Sequence, residues 1–378
     1  MRFLHTSDWH LGRSLHGVDL LDHQAAYLDH LVALARDERV DAVVVAGDVY
    51  DRAIPPVEAV TLLSETLARL TEHTTVVLTS GNHDSATRLG FGSALMRERV
   101  RLRTRVAELD SPVLVGGVAV YGLPYLDPDA TRAELGGDEP LARSHEAVMT
   151  AAMARVRADS GWRGVRSVVA AHAFVVGGEP SESERDIRVG GVDHVPAGVF
   201  AGVDYVALGH LHGPQRLTGP AGTVLRYSGS PLAYSFSEQH HAKSTVVVEV
   251  GGDGVTTRLE AAPVPRRLAD VSGTLDELLG AGGEAHVDDW VRVTVTDADR
   301  PADLFARVRA RFPHALVVQH RPPVVERAAR AAVVSAAADP VEVSAQFVRH
   351  VTGRAPSADE LAVLRRAYEH VAAAERSA

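Results

Sequence analysis

The chain has 378 residues, 46% of them hydrophobic and 23% charged, with 39 Lys and Arg against 49 Asp and Glu for a net charge of −10. No apolar run approaches the roughly 18 to 20 residues that cross a bilayer, which excludes membrane spanning, and 0 Cys removes disulfides, iron–sulfur clusters and thiolate zinc sites. The acidic balance argues against a protein that grips nucleic acid through its overall field; any metal must be held by His, Asp, Glu or Asn, and 19 His are a generous supply.

The start, Met1 to Asp8, has no apolar stretch behind a basic end, so a cytoplasmic location is expected. The length predicts a large domain and a smaller one. Lys243 is the only lysine, and the bias toward Arg reads as composition rather than function.

Six short apolar runs each end abruptly in polar residues. Phe3 to Ser7 meets Asp8-Trp9-His10, Ala42 to Ala46 meets Gly47-Asp48, and Thr75 to Thr79 meets Ser80-Gly81-Asn82-His83-Asp84. Val168 to Ala171 ends at His172, Tyr205 to Leu208 at Gly209-His210-Leu211-His212, and Val224 to Tyr227 at Ser228-Gly229-Ser230-Pro231. Helices predicted from about Leu20 to Arg36 and Val57 to Leu70 separate the first three runs. Strands alternating with helices predict an α/β core whose ligands gather beyond the carboxyl ends of the strands.

Around Pro263 to Pro265 the pattern changes, and a smaller α+β module follows. It has a helix at Thr274 to Leu279, a strand at Trp290 to Val295, an amphipathic helix at Ala302 to Phe312 and a strand at Ala315 to Val318. Ala328 to Ala338 reads as a linker. Asp339-Pro340-Val341-Glu342 then opens a helix as a capping box, with Val343, Phe347 and Val351 on one face and Gly353 as its stop. Pro356 to Glu360 starts a second helix striped with Leu361, Leu364, Tyr368 and Val371. A two-helix hairpin this short does not bury both stripes by itself.

Asp8, His10, Asp48, Asn82, His172, His210 and His212 are hard or borderline ligands placed at strand ends. Seven such groups exceed what one ion uses, whereas two ions about 3.5 to 4 Å apart can share them through a bridging carboxylate, expected at Asp48. Imidazole mixed with carboxylate and amide oxygen suits Mn, Fe or Zn better than Mg or Ca. Trp9 and Phe174 are expected to pack the site floor. Arg97, Arg99, Arg101, Arg103 and Arg105 alternate, so on a strand all five share one face, as a contact line for a nucleic-acid backbone or, more plainly, a solvated edge.

This ordered set resembles the calcineurin-like metallophosphoesterase superfamily, and Leu4 to Gly12, Gly47 to Asp51 and Tyr227 to Pro231 are similar to its DNA-repair nuclease branch. Trp9, the Gly178 to Arg185 stretch with Ser183-Glu184-Arg185, the Ser228 to Glu238 segment and the order of domains carry the branch assignment. The resemblance implies a four-layer α-β-β-α sandwich over 1–262, a capping domain over 266–327 and a partner-binding helical hairpin over 339–374. It implies that Asp8, His10 and His212 hold one metal, that Asn82, His172 and His210 hold a second, both expected to be Mn, and that Asp48 bridges. His83 would give a proton to the departing oxygen, with Asp84 either orienting it or capping the next helix. The implied activity is 3'-5' double-strand exonuclease and single-strand endonuclease, in a cytoplasmic, nucleoid-associated homodimer that works with an SMC-like ATPase on DNA. Two rivals remain: a small-molecule phosphodiesterase or phosphatase on the same centre, and a non-catalytic scaffold for the ATPase.

Overall fold

The computed structural model describes residues 1–96, 98–188, 194–323 and 339–376. Fifteen of its strands matter here: β1 (Arg2–Thr6), β2 (Ala42–Ala46), β3 (Thr75–Thr79), β4 (Val100–Arg103), β5 (Val113–Val115), β6 (Val118–Leu123), β7 (Ser167–His172), β8 (Tyr205–Gly209), β9 (Gln215–Leu217), β10 (Val224–Tyr227), β11 (Ser244–Gly251), β12 (Gly254–Ala261), β13 (Leu268–Gly273), β14 (Trp290–Val295) and β15 (Ala315–His320). Two six-stranded sheets run in the orders β12-β11-β1-β2-β3-β4 and β9-β10-β8-β7-β6-β5. Their centres are parallel and only the outer strands are antiparallel. Parallel strands need crossover helices on their faces, which is why these strands read as unbroken Val and Ala runs rather than alternating ones.

Three apolar clusters stack the layers. Phe3, Val44, Val77, Val168, Tyr205, Ala207 and Val246 fill the space between the sheets. Leu4, Val43 and Val45 face away from it onto Leu28, Leu31, Leu63 and Leu70 of α1 (Leu21–Asp37) and α2 (Val57–Thr71). On the other side Tyr121, Val169 and Val206 meet Met149, Met153 and Val156 of α4 (His145–Arg163), which follows α3 (Pro128–Gly136). The result is the expected α-β-β-α sandwich, with the limits of α1 and α2 within a residue of the sequence reading.

The later module has its own core of Val271, Val293, Val295, Leu304, Val308 and Phe312, the last three on or beside α5 (Leu304–Arg311). Its strands β13, β14 and β15 all run parallel, so the module expected as α+β is built as a crossover unit with one further strand, β13, ahead of the two expected. The connections between those strands each carry a helix, and parallel pairing follows from that. Leu268 and Trp290 also pack on Leu15, Leu20, Leu232, Tyr234 and Phe236, so sandwich and module form one compact unit, Met1–Pro323.

The second unit, Val324–Ala378, contains α6 (Pro340–Thr352) and α7 (Ala358–Arg376). Asp339 caps α6 through the Val341 N–H, with Pro340 in the first turn and Gly353 left-handed at φ +81° as the stop. The full reciprocal cap forms instead on α7, where Ser357 and Glu360 exchange bonds. Val343, Leu361 and Leu364 are half-buried, while Phe347, Val351, Tyr368 and Val371 are exposed. The 328–338 linker lies outside the described residues.

Of the arginine stripe, only Arg101 and Arg103 lie on a strand among the described residues. Arg97 lies outside the described residues, and β4 spans only Val100–Arg103. Arg99 donates to the Thr71 and Glu72 carbonyls, and Arg103 donates to Ser111 O. Unsatisfied carbonyls at the end of α2 and in the loop beyond β4 draw those two guanidinium groups in.

Candidate metal centre

Every candidate ligand sits at the carboxyl end of a strand. Asp8 and His10 follow β1, Asp48 follows β2, Asn82 follows β3, His172 ends β7, and His210 and His212 follow β8. Parallel register, with Thr6 opposite Val45 and Ala46 opposite Thr79, brings the first three ends level.

The backbone there is strained. Asp8, His10, Asp48 and His210 have φ of +54°, +46°, +49° and +104°, conformations that cost non-glycine residues about 1 kcal/mol or more each. Lateral bonds hold them: Asp8 N–H donates to Gly47 O at 3.1 Å, His10 N–H to Asp48 O at 3.0 Å and Leu11 N–H to Val49 O at 2.9 Å. Asp84 ties in a third loop, accepting from the N–H groups of Gly81 at 2.9 Å, Val49 at 3.0 Å and Tyr50 at 2.9 Å. Glycine is required where the loops touch, since a Cβ on Gly81 would lie 2.1 Å from Asp48 Oδ1.

All seven side chains converge. His10 Nε2 and His212 Nε2 are 3.1 Å apart, and His172 Nε2 and His210 Nδ1 lie 2.9 and 3.2 Å from Asn82 Oδ1. Asp48 Oδ2 stands between the groups, 3.6 Å from His10 Nε2 and 3.4 Å from His172 Nε2. Ligand atoms of Asp8, His10 and His212 lie within 4.8 Å of one another, as do those of Asp8, Asp48 and His172 and those of His10, Asp48 and His83. His210 joins through Asn82 rather than through a carboxylate. Its side chain and those of Asp8, His10, Asp48, His172 and His212 are all buried.

This donor set fits divalent cations. Among the described residues His10 Nδ1 and Asn82 Nδ2 are buried with no hydrogen-bond partner, and the Nε2 atoms of His10 and His212 face each other at 3.1 Å. His172 Nδ1 faces Ala46 O at 2.9 Å and, as its donor, leaves Nε2 free as a ligand. The charges are mutually adjusted. Burial pushes Asp8 up to about 6, with the His172 and His212 imidazoles pulling against it. Burial also opposes the Asp48 charge, yet His172, His10 and His83 hold that carboxylate well below its usual range. His172 is raised to about 9 against its burial by Asp48 and Asp8, whereas burial drives His10 and His210 well below the ordinary imidazole value. Titrations pushed apart in one cluster mark a functional site.

His83 has its Nε2 4.0 Å from Asp48 Oδ2, and its Nδ1 is 2.7 Å from the Asp51 carbonyl oxygen. Asp84 therefore does not orient the imidazole, since its carboxylate is spent on three backbone amides. Nor does it cap the next helix. Ser85 caps that short turn, Ala86–Leu89. Trp9 is fully buried beneath the site with its indole N–H on Thr6, and Phe174 lies 6.3 Å from the His210 ring.

Sequence reasoning missed four contributors. Asp51 lies 3.8 Å from His10 Nδ1 and 3.6 Å from Arg13. Ser183, Glu238 and Lys243 surround His212: Ser183 Oγ is 2.6 Å and Glu238 Oε1 3.3 Å from His212 Nδ1, and Lys243 bonds Glu238. The signals that point to them are Ser183 inside a branch-specific stretch and Lys243 as the sole lysine.

Residues 1–214 match the family model described as calcineurin-like phosphoesterase, and residues 264–352 match one described as the type 5 capsule protein repressor C-terminal domain. The SbcD nuclease of SbcCD from Staphylococcus saprophyticus subsp. saprophyticus is 30% identical over 327 residues, covering 85% of this chain and 85% of its own. Among solved structures, the TT1561 protein of Thermus thermophilus is 16% identical with TM-score 0.41, covering 68% of this chain and 98% of that one. A dimetal phosphatase from Danio rerio is 15% identical with TM-score 0.43, covering 70% and 97%.

Proposed function

The chain belongs to the calcineurin-like phosphoesterase family and, within it, to the SbcD nucleases, and from that premise we propose that it is a two-metal DNA nuclease that processes DNA ends. The convergence of six ligand-type side chains around Asp48 carries this reading. In it, Asp8, His10 and His212 would hold one Mn ion, Asn82, His172 and His210 the other, and Asp48 would serve both. When bound, such a pair of cations neutralises charge on the phosphodiester oxygens and activates water for in-line attack. The protein's own share is orientation and proton transfer. His83, whose Nδ1–H donates to the Asp51 carbonyl, keeps Nε2 at the cluster and in its imidazolium form would give the Nε2 proton to the leaving oxygen.

The experiment is incubation of the pure chain with Mn and double-stranded DNA, single-stranded DNA or a chromogenic phosphodiester. Cleavage of double strands from 3' ends and of single strands internally, lost on chelation, is expected. Turnover of the chromogenic diester with both DNAs intact would overturn the nuclease assignment.

The same reading gives 1–262 as nuclease domain, 266–327 as capping domain and 339–374 as the site for an SMC-like ATPase. An apolar helical face left exposed at Phe347, Val351 and Val371 is what a helix-in-groove partner covers. Ile54, Val57, Phe91 and Leu95 are also exposed, and Arg88 donating to Ala53 O joins their two segments, which supports a homodimer through that patch. No helix among the described residues is long and apolar enough to cross a membrane, and work on chromosomal DNA implies a cytoplasmic, nucleoid-associated location.

A further inference from the structure

We infer that Glu238, locked by Lys243, is a positioning residue that fixes His212 through Ser183, an assignment that rests on the metal reading above. Every polar handle of His212 except Nε2 is taken by one cluster, whose Glu238 and Lys243 are buried. Its backbone N–H donates to Glu184 Oε1 at 2.9 Å, its carbonyl accepts from Lys243 Nζ at 3.0 Å, and its Nδ1 lies 2.6 Å from Ser183 Oγ. The Ser183 hydroxyl donates to Glu238 Oε1. With its proton committed there, the Ser183 oxygen accepts from Nδ1–H, which sets the tautomer and leaves the Nε2 lone pair facing His10 and Asp8.

Glu238 is itself immobile. Oε1 also accepts from Tyr234 N–H at 3.1 Å, while Oε2 receives Lys243, whose remaining protons go to Ser230 Oγ at 2.9 Å and the His212 carbonyl. Three ammonium protons meet three acceptors, and Glu238 and Lys243 are 1% and 5% exposed. A pair so buried adds little net stability over apolar side chains of similar volume. Its contacts, however, run to both the ring and the backbone of a single ligand. The cluster therefore acts on one half of the metal centre, and the half built on Asn82, His172 and His210 does not depend on it.

The test is calorimetric titration of Mn into the metal-free full chain, with thermal unfolding of the same metal-free samples. Glu238→Gln would strand the Lys243 charge, so the pair is replaced together as Glu238→Leu with Lys243→Met, and separately Ser183→Ala is compared with Ser183→Thr. The expected result is two Mn sites in the wild type, one of them weakened about 10- to 100-fold in the double variant and in Ser183→Ala. Ser183→Thr, which keeps the hydroxyl, restores it, and the other site and the unfolding temperature are unchanged. If the double variant fails to fold, the Ala against Thr contrast decides. Both sites weakened equally with a lower unfolding temperature, or both unchanged within about twofold, would overturn the assignment. A wild-type chain lacking two Mn sites would instead overturn the metal reading itself.

Discussion

Replacing Gly47 by alanine disturbs the proposed metal centre while leaving every proposed ligand residue in the sequence. Gly47 has φ +85°, and a Cβ built on it would lie 2.5 Å from His172 Nδ1, 2.8 Å from its Cγ and 2.9 Å from Gly81 Cα. Restoring ordinary contact at 3.4 Å requires the imidazole to retreat by about 0.9 Å. Metal–ligand distances tolerate only about 0.2 Å, so the ring leaves its coordination position. The ring is also bonded to Ala46 O and packed edge-on at 5.4 Å against His210, so neither gives way freely. Left-handed alanine costs about 1 to 2 kcal/mol, and overpacking adds about 1 to 3 kcal/mol. We expect Gly47→Ala to lose about 2 to 5 kcal/mol in urea unfolding of the metal-free chain and to bind one Mn rather than two, with cleavage abolished. A variant with wild-type unfolding and two Mn ions would refute the placement of His172 as a ligand.

Four further outcomes are expected. Asp48→Ala removes the carboxylate common to both ligand sets, so metal analysis should find both Mn ions lost; two tightly held ions would exclude it as the bridge. His83→Ala should keep both metals and DNA affinity and slow cleavage about 100-fold or more, less so on a diester with an activated leaving group. Equal losses on activated and ordinary diesters would remove it from the leaving-group role. Truncation after Ala337 should leave Mn-dependent cleavage intact and abolish co-purification with the ATPase, and retained co-purification would move the partner site elsewhere. Leu95→Glu, on the exposed patch, should shift the chain from dimer to monomer in sedimentation, an unchanged dimer placing the interface on another face.

Strand ends are readable because parallel strands covered on both faces are written as apolar runs that stop at the first polar residue. Val43 to Val45 before Asp48 and Val169 to Ala171 before His172 are the clearest cases. That signal locates all seven proposed ligand positions at the ends of five strands. What escapes it depends on tertiary approach. Ser183 and Glu238 sit in segments with little regular structure, far apart in sequence, and nothing local announces that both meet His212. Asp84 escapes for the same reason: its partners Val49 and Tyr50 lie on another loop, while the nearer candidate, the His83 ring, turns to Asp51. Periodicity also misleads at Arg97 to Arg105, where alternation suggests a long strand but helix-end carbonyls capture Arg99.

Burial of Lys243 changes what can be done to this protein at the bench. The only side-chain amine in the chain is 5% exposed with all its protons donated, so acylating labels and amine-reactive cross-linkers have no lysine to attack on the folded surface. Reductive methylation before crystallisation would alter little. Conversely, acylation at Lys243 records an opening of the cluster behind His212, and its rate with and without Mn reads how tightly that half of the metal centre is closed, one residue reporting for the site with no engineered probe.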